Sequence, residues 1–454
     1  MMDLPCEILL MIIESCDFPT KIRLSCVDKY FYENIQIHDL MNIPNKYLFE
    51  LNDQILKQKK FEKLKKLHTY DSITTEGILE LDLIELNVIS NVNIKNVAFM
   101  KNLKRLDARG LCGINQNGIQ GLDLVELKIG NNHRIHDVSF MKNLKILDAS
   151  HECGIDQQGI NGLNLTELNI SFNSKISDVS FMENLKHLDA DALSCGINQN
   201  GIQGLDLIEL NICDNNKIKD VSFMKKLECL DAGSICGINQ NGIKGLNLIS
   251  LNVWNNKKIN NVSFMKNLKI LDVGYDCGID QNGILELDLT ELYANENSRI
   301  NDVSFMKNLK ILNATGNCGI DQKGILGLDL IELRVDNNTK INDVSFMKNL
   351  KILWACDDCS IDQNGIIGLN LIELRVSDNS NINNVTFMKN LKKLNASGFN
   401  CKIDQNGING LDLINLNIWN NEKIKDISFM KNLKKITIHG VNGPKIYYLS
   451  DNKN

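Results

Sequence analysis

Four sets of residues in this chain have the types and spacing that metal, redox or recognition chemistry uses. The first is a set of cysteines. Of fourteen in the chain, eight recur 41 or 42 residues apart, at Cys112, Cys153, Cys195, Cys236, Cys277, Cys318, Cys359 and Cys401. Zinc needs thiolates that converge on one tetrahedron, and thiols repeated at so long a period form a row instead. They are expected to be structural. The second set is the recurring Gly-Ile-Asp-Gln-Asn-Gly-Ile, whose Asp-x-Asn-Gly order is that of a cation loop. Its acidic position is an amide at Asn115, Asn198 and Asn239, and no bidentate Glu follows. A capped outer turn whose glycine takes a positive φ is the expectation. The third, His133-Arg-Ile-His136, offers two imidazoles without a third ligand. No metal and no cofactor are therefore expected. No nucleophile, base and orienter come together, and no glycine loop for phosphate occurs, so a binding protein is expected rather than an enzyme. The fourth set, Trp254, Tyr293, Arg334, Trp354, Arg375 and Trp419, consists of the large aromatics and arginines that anchor protein interfaces.

The elements that must position these residues follow from an internal repeat. The dipeptide Phe-Met recurs at Phe99, Phe140, Phe181, Phe223, Phe264, Phe305, Phe346, Phe387 and Phe429, at spacings of 41 residues with two of 42. Each unit has two halves. One reads L-x-x-L-x-V/I-x-x-N-x-x-I, with Asn at its ninth position in all nine copies, from Asn91 to Asn421. The other reads L-x-x-L-x-A and then carries the recurring cysteine, as in Leu103, Leu106, Ala108 and Cys112. The L-x-L alternation makes a short strand whose leucines point inward. The turn after it leaves backbone polar groups inside the stack, which a buried Asn amide satisfies and a thiol satisfies more weakly. On these residues the region from about Leu64 to Ile438 resembles the leucine-rich-repeat family. The resemblance implies an α/β solenoid: a horseshoe or arc with a parallel sheet of about nineteen strands on its concave face and turns or 3₁₀ helix on the convex face.

In such a solenoid the third, fifth and seventh positions of each strand pattern face the concave side. The fifth position of the Cys halves is Asp at Asp107, Asp148, Asp189, Asp231 and Asp272, and then changes to Asn313, Trp354, Asn395 and Thr437. In the Asn halves it is mostly Asn, and then becomes Tyr293, Arg334 and Arg375. Trp354 thus falls between two arginines on neighbouring strands, where a binding patch is expected. The alternative is that the arginines only neutralise Glu332 and Glu373, each two residues earlier.

The net charge of −6 implies no general pull toward nucleic acid or an anionic membrane. The start, MMDLPCEILLMIIESC, has no basic region ahead of its apolar stretch, and no run reaches the roughly 18 to 20 apolar residues of a span. A cytoplasmic protein is expected, with the nucleus as the alternative compartment. Residues Leu4-Pro5-x-Glu7-Ile8-Leu9 have helical periodicity, Phe18-Pro19 interrupts it, and Leu24-Ser25-Cys26-Val27-x-Lys29-x-Phe31 follows. This order resembles the F-box, a helical motif that docks on the Skp-family adaptor of cullin–RING ubiquitin ligases. The resemblance implies an adaptor-binding surface of Leu4, Pro5, Ile8, Leu9, Ile22, Val27 and Phe31. It also implies a substrate receptor with an unknown target protein on its concave face, monomeric outside that ligase. The alternative for the same helices is an end cap on a free-standing scaffold. F-box followed by near-identical, Asn/Ile/Lys-rich repeats resembles proteins of giant amoeba-infecting DNA viruses, which would place the chain in a host cytoplasm. The expected divisions are an F-box-like segment at 1–45, a helical linker and cap at 46–80, nine double repeats at 81–440, and a terminal cap or tail at 441–454.

Overall fold

The structure is a computed structural model and describes residues 15–26, 29–440 and 443–448. It divides into two compact units, Met1–Ile218 and Lys219–Asn454. Of the proposed adaptor-facing residues, Leu4, Pro5, Ile8, Leu9 and Val27 lie outside the described residues.

In the first unit, helix α1 (Phe18–Ser25) begins where the sequence places a break. The Asp17 side chain accepts the Thr20 N–H at 2.9 Å, and Pro19 occupies the first turn, where a missing N–H costs nothing. Helices α2 (Lys29–Asn34), α3 (Asn45–Leu48) and α4 (Asp53–Leu56) follow. Ile35, Ile37, Leu48, Leu51, Leu56 and Phe61 of this region are buried. The parallel ladder starts among these helices: β1 (Asp39–Leu40) pairs with β2 (Lys66–His68), and β2 with β3 (Glu85–Asn87). Strand stacking thus precedes residue 81. It continues through β4 (Arg105–Asp107), β5 (Glu126–Lys128), β6 (Ile146–Asp148), β7 (Glu167–Asn169), β8 (His187–Asp189) and β9 (Glu209–Asn211), all parallel.

The second unit repeats the pattern from β10 (Cys229–Asp231) through β11 (Ser250–Asn252), β12 (Ile270–Asp272), β13 (Glu291–Tyr293), β14 (Ile311–Asn313), β15 (Glu332–Arg334) and β16 (Ile352–Trp354). It then runs through β17 (Glu373–Arg375), β18 (Lys393–Asn395), β19 (Asn415–Asn417) and β20 (Lys435–Gly440). Strand β21 (Gly443–Tyr448) pairs antiparallel with β20. Each short strand buries its central apolar residue and leaves its two flanking residues mostly half-exposed, as alternation requires. The outer side carries a 3₁₀ turn in each Cys half but the last, such as Lys323–Ile325, and irregular turns in the Asn halves. In the Phe-Met pair it is Met that fills the core; Phe264 and Phe387 are exposed.

Two buried ladders run through the stack: the Asn amides tie each coil to the one before, and thiols such as those of Cys112 and Cys153 close bonds within their own coil. Asn338 Nδ2 donates to Ala314 O at 2.8 Å and to Ile320 O, and its Oδ1 accepts from the N–H of Lys340 and Ile341. These four bonds satisfy backbone groups that the turn would otherwise leave unpaired in the core. The thiols of Cys112 and Cys153 donate to Ala108 O and Ala149 O at 3.2 and 3.1 Å. Burial pushes the Cys112, Cys153, Cys277 and Cys318 thiols up to about 11 and those of Cys236 and Cys359 to about 12, so they stay protonated. The described cysteines are all free thiols.

The outer turn corrects one expectation. The Asp or Asn of the cation-like motif is indeed a cap: Asp321 Oδ1 accepts from Lys323 and Gly324 N–H at 2.8 and 3.0 Å. Gly324, however, does not take a positive φ. It must be glycine because a Cβ there would overlap Asn301 O of the preceding coil. The positive φ, +73°, belongs to Gly327 three residues on.

Candidate functional site

The parallel register lines up the fifth-position side chains of the second unit in one row. Tyr293 stands opposite Asn313, Asn313 opposite Arg334, Arg334 opposite Trp354 and Trp354 opposite Arg375. The row continues with Asn395, Asn417 and Thr437. Three of the six candidate residues form one stack. The Arg334 guanidinium carbon lies 4.0 Å from the Trp354 ring centroid and that of Arg375 lies 3.8 Å away, so Trp354 contacts two cations. The Trp354 indole N–H is buried without a hydrogen-bond partner.

Each arginine is also held by the carboxylate two residues before it. Arg334 Nε and Nη2 meet Glu332 Oε1 at 2.7 and 2.6 Å, and Arg375 meets Glu373 Oε1 at 2.9 Å. Glu373 is buried and bridges to Lys393 at 3.0 Å. Burial acts to raise its proton affinity, but the hydrogen bonds from Lys393 and Arg375 outweigh this and leave it lowered. Neutralisation and stacking therefore coexist: the glutamates fix the guanidinium planes and the indole lies between them.

The other three candidates lie outside the stack, although Tyr293 belongs to the same row. Tyr293 donates its hydroxyl to Glu291 at 2.9 Å, and burial together with that carboxylate pushes the phenol up to about 12. Trp254 packs edge-on to Tyr275 at 5.9 Å, over Gly233, where a Cβ would strike the indole. Trp419 stands two residues after Asn417, beside the row, with its buried indole N–H also unpartnered. Of the described adaptor candidates, Ile22 on α1 and Phe31 on α2 are half-buried.

Several contributors are invisible in a repeat pattern. Lys393 and Lys435 join Arg375 around a depression of about 240 Å³ floored by Leu374, Leu394 and Leu416. In the first unit the inner strands pair most of their cations with acids: Arg105 with Glu85, Arg109 with Asp107, and Lys128 with Glu126, at 2.7, 2.7 and 2.9 Å. Asp148, Glu167 and Asp189 then line a depression of about 510 Å³. Beside that face, Asp191, Cys213 and Asp214 each bring a ligand-type atom within 4.8 Å of the others. Burial, with Asp214 adding to it, raises the proton affinity of Asp191. On the outer side a glutamine bridge links coils: Gln322 Nε2 donates to Asp343 O at 2.8 Å, and its Oε1 accepts from Asn342 and Asp343 N–H.

Stacked three-residue parallel strands with leucine centres and an Asn ladder define a leucine-rich-repeat solenoid whose strand face carries the variable side chains. No protein-family model and no curated protein sequence matches the chain. Among solved structures it is similar to a chain of the yeast Rad7 and Elc1 complex at 15% identity, over 76% of this chain and 94% of that one, with a TM-score of 0.38. It is similar to a chain of the TLR13–ssRNA13 complex at 17% identity, over 84% and 74%, with a TM-score of 0.39. It is also similar to a functional domain of InlJ from Listeria monocytogenes that includes a cysteine ladder, at 18% identity, over 83% and 72%, with a TM-score of 0.27. Among the described residues, no helix is long and apolar enough to cross a membrane.

Proposed function

We propose that this protein is a substrate receptor of a cullin–RING ubiquitin ligase. Its F-box-like start docks on a Skp-family adaptor, and its inner strand face captures a target protein. The observation that carries the capture surface is the Arg334–Trp354–Arg375 stack. An indole occupies a slot that holds Asp in five other Cys halves, and it orients two guanidiniums that their own glutamates already hold. A rigid aromatic and arginine cluster of this kind loses little side-chain entropy when it meets a partner. The adaptor half of the proposal rests on the Leu4-Pro5-x-Glu7-Ile8-Leu9 and Leu24-to-Phe31 resemblance.

A second reading has its own support. Ile35, Ile37, Leu48, Leu51, Leu56 and Phe61 are buried beside the first coils, which is what an end cap on a free-standing scaffold requires. Co-purification of the whole chain with a Skp-family adaptor separates the two. The receptor reading expects retention of the adaptor, and a roughly tenfold or greater loss on Leu4→Ala with Pro5→Ala while thermal unfolding of the solenoid is unchanged. An adaptor that is not retained, or is retained equally by the double variant, leaves the scaffold.

A further inference from the structure

We infer that the inner face from β15 to β20 takes an acidic peptide segment of the partner protein, with Arg334, Arg375, Lys393 and Lys435 reading its carboxylates. This rests on the reading of that face as the capture surface and specifies the chemistry of its ligand. Four cations point inward from these six strands, against Glu332, Glu373 and Asp336. The glutamates are engaged, since Glu332 holds Arg334 and the single charge of Glu373 is shared by Arg375 and Lys393. Lys435 lies toward the Tyr448 ring at 5.7 Å and lines the same depression as Arg375 and Lys393. The stretch from β17 to β20 therefore presents positive charge that its own acids do not balance.

The stack decides which anion fits. Each guanidinium gives one flat face to Trp354 and its Nε and Nη2 edge to a glutamate. What remains is the outer N–H edge, which matches a carboxylate in plane. Single-stranded nucleic acid binds by stacking bases on aromatic faces. Arginines already lie against the Trp354 ring, and the chain is net negative. The cations spread over strands about 4.8 Å apart, so five spacings span roughly 24 Å, the length of about seven extended residues. That is a peptide segment rather than one small acid.

The turns that follow the strands give the site a polarity. Asp336, Asp357 and Asp378 stand there in successive coils, and the Asp357 carboxyl is raised by burial and then by the charges of Asp336, Asp378 and Asp358. An acidic segment is repelled from this edge and lies toward the edge where the strands begin.

Fluorescence anisotropy with the full chain tests this with three labelled probes: a Glu-Gly peptide of about ten residues, its Lys-Gly counterpart, and an oligothymidylate of similar length. The Glu-Gly probe is expected to bind and to tighten as salt falls. Arg375→Gln should weaken it roughly tenfold, Lys435→Gln a few fold, and Asp357→Asn should tighten it a few fold, whereas Arg105→Gln in the first unit changes nothing. Lys435→Gln lies at the rim and keeps the test valid if Arg375→Gln disturbs the stack. Equal binding of the two peptides, preference for the oligonucleotide, or a Glu-Gly affinity untouched by Arg375→Gln and Lys435→Gln overturns the inference. Suppose a target protein is captured in a Trp354-dependent manner while the Glu-Gly probe neither binds nor competes. The capture surface then stands and the acidic chemistry falls.

Discussion

The Asn ladder and the fifth-position row of the second unit arise from the same coils, a few residues apart, and they have opposite sequence behaviour. The ladder is Asn in every copy, whereas the row runs Asp, Tyr, Asn, Arg, Trp, Arg, Asn, Asn and Thr from Asp272 to Thr437. A ladder residue answers to its own turn and to the coil before it, which from Asn132 onward are nearly identical each time. Asn338 must satisfy Ala314 O, Ile320 O and two N–H groups, and one side-chain type does that. A row residue has a buried leucine beside it and solvent above it, so the coil does not dictate its identity. Where the row departs from its own repeat, the stacking of the coils supplies no reason, and that stretch is where the proposed capture surface lies.

The sharpest break of this contrast is Asn338→Ala. It strands four buried polar partners, and urea unfolding should show a loss of about 3 kcal/mol, with its effect confined to neighbouring coils. A loss below about 1 kcal/mol would make the ladder as replaceable as the row. Asp272→Asn comes next and has the opposite sign. Burial, aided by Asp231 and opposed by the Gly274 N–H, pushes this carboxyl up to about 6. The folded chain therefore holds the proton more tightly than the unfolded chain, whose carboxyl titrates near about 4. The cost of the charged form is complete above pH 6 or so and gone below about 4. Asp272→Asn should accordingly stabilise by about 2 kcal/mol near pH 8 and by nothing near pH 4; a gain that does not depend on pH would remove the assignment. Trp354→Ala should weaken target capture by about tenfold, near 1.4 kcal/mol, yet change the unfolding free energy by less than about 0.5 kcal/mol. A large loss of stability instead would make the stack a structural element. Gln322→Ala should cost the least, about 0.5 kcal/mol, because the groups it releases on the outer side find water. Hydrogen exchange at Asn342 and Asp343 would register that opening.

What could be read before the structure follows the same division. Period, strand register, the two ladders and the inner row come from spacing, and the coils reproduce them. Phe18-Pro19, read from the sequence only as an interruption, opens α1, because proline fits the first helical turn. The glycine of the outer motif is required by packing and not by backbone conformation, and the overlap of a Cβ with Asn301 O is a contact between coils that spacing does not reveal. Gln322 hid in a motif that looks like a cation loop, where an exposed-looking amide is in fact a bridge. The stack could be anticipated from the order Arg, Trp, Arg. The capture of Lys393 by Glu373 could not, since it depends on side chains meeting across strands whose patterns differ. Asp191, Cys213 and Asp214 converge for the same kind of reason.

The pairing of ladders also limits how such a chain can change length. Each ladder Asn from Asn132 onward seats its amide on carbonyls of the Cys coil before it, as Asn338 does on Ala314 and Ile320, and the Gly319 N–H of that Cys coil donates in turn to Asn297 O at 2.9 Å. Loss or gain of a single coil would put two coils of one kind side by side, with amides facing amides or thiols facing thiols. Loss or gain of a double coil leaves every junction as it was. Unequal exchange between near-identical repeats would therefore be tolerated in steps of 41 or 42 residues and selected against at half that step. In evolutionary terms the heritable quantum is the pair. Duplicating it would lengthen the inner row while leaving its new side chains free to diverge.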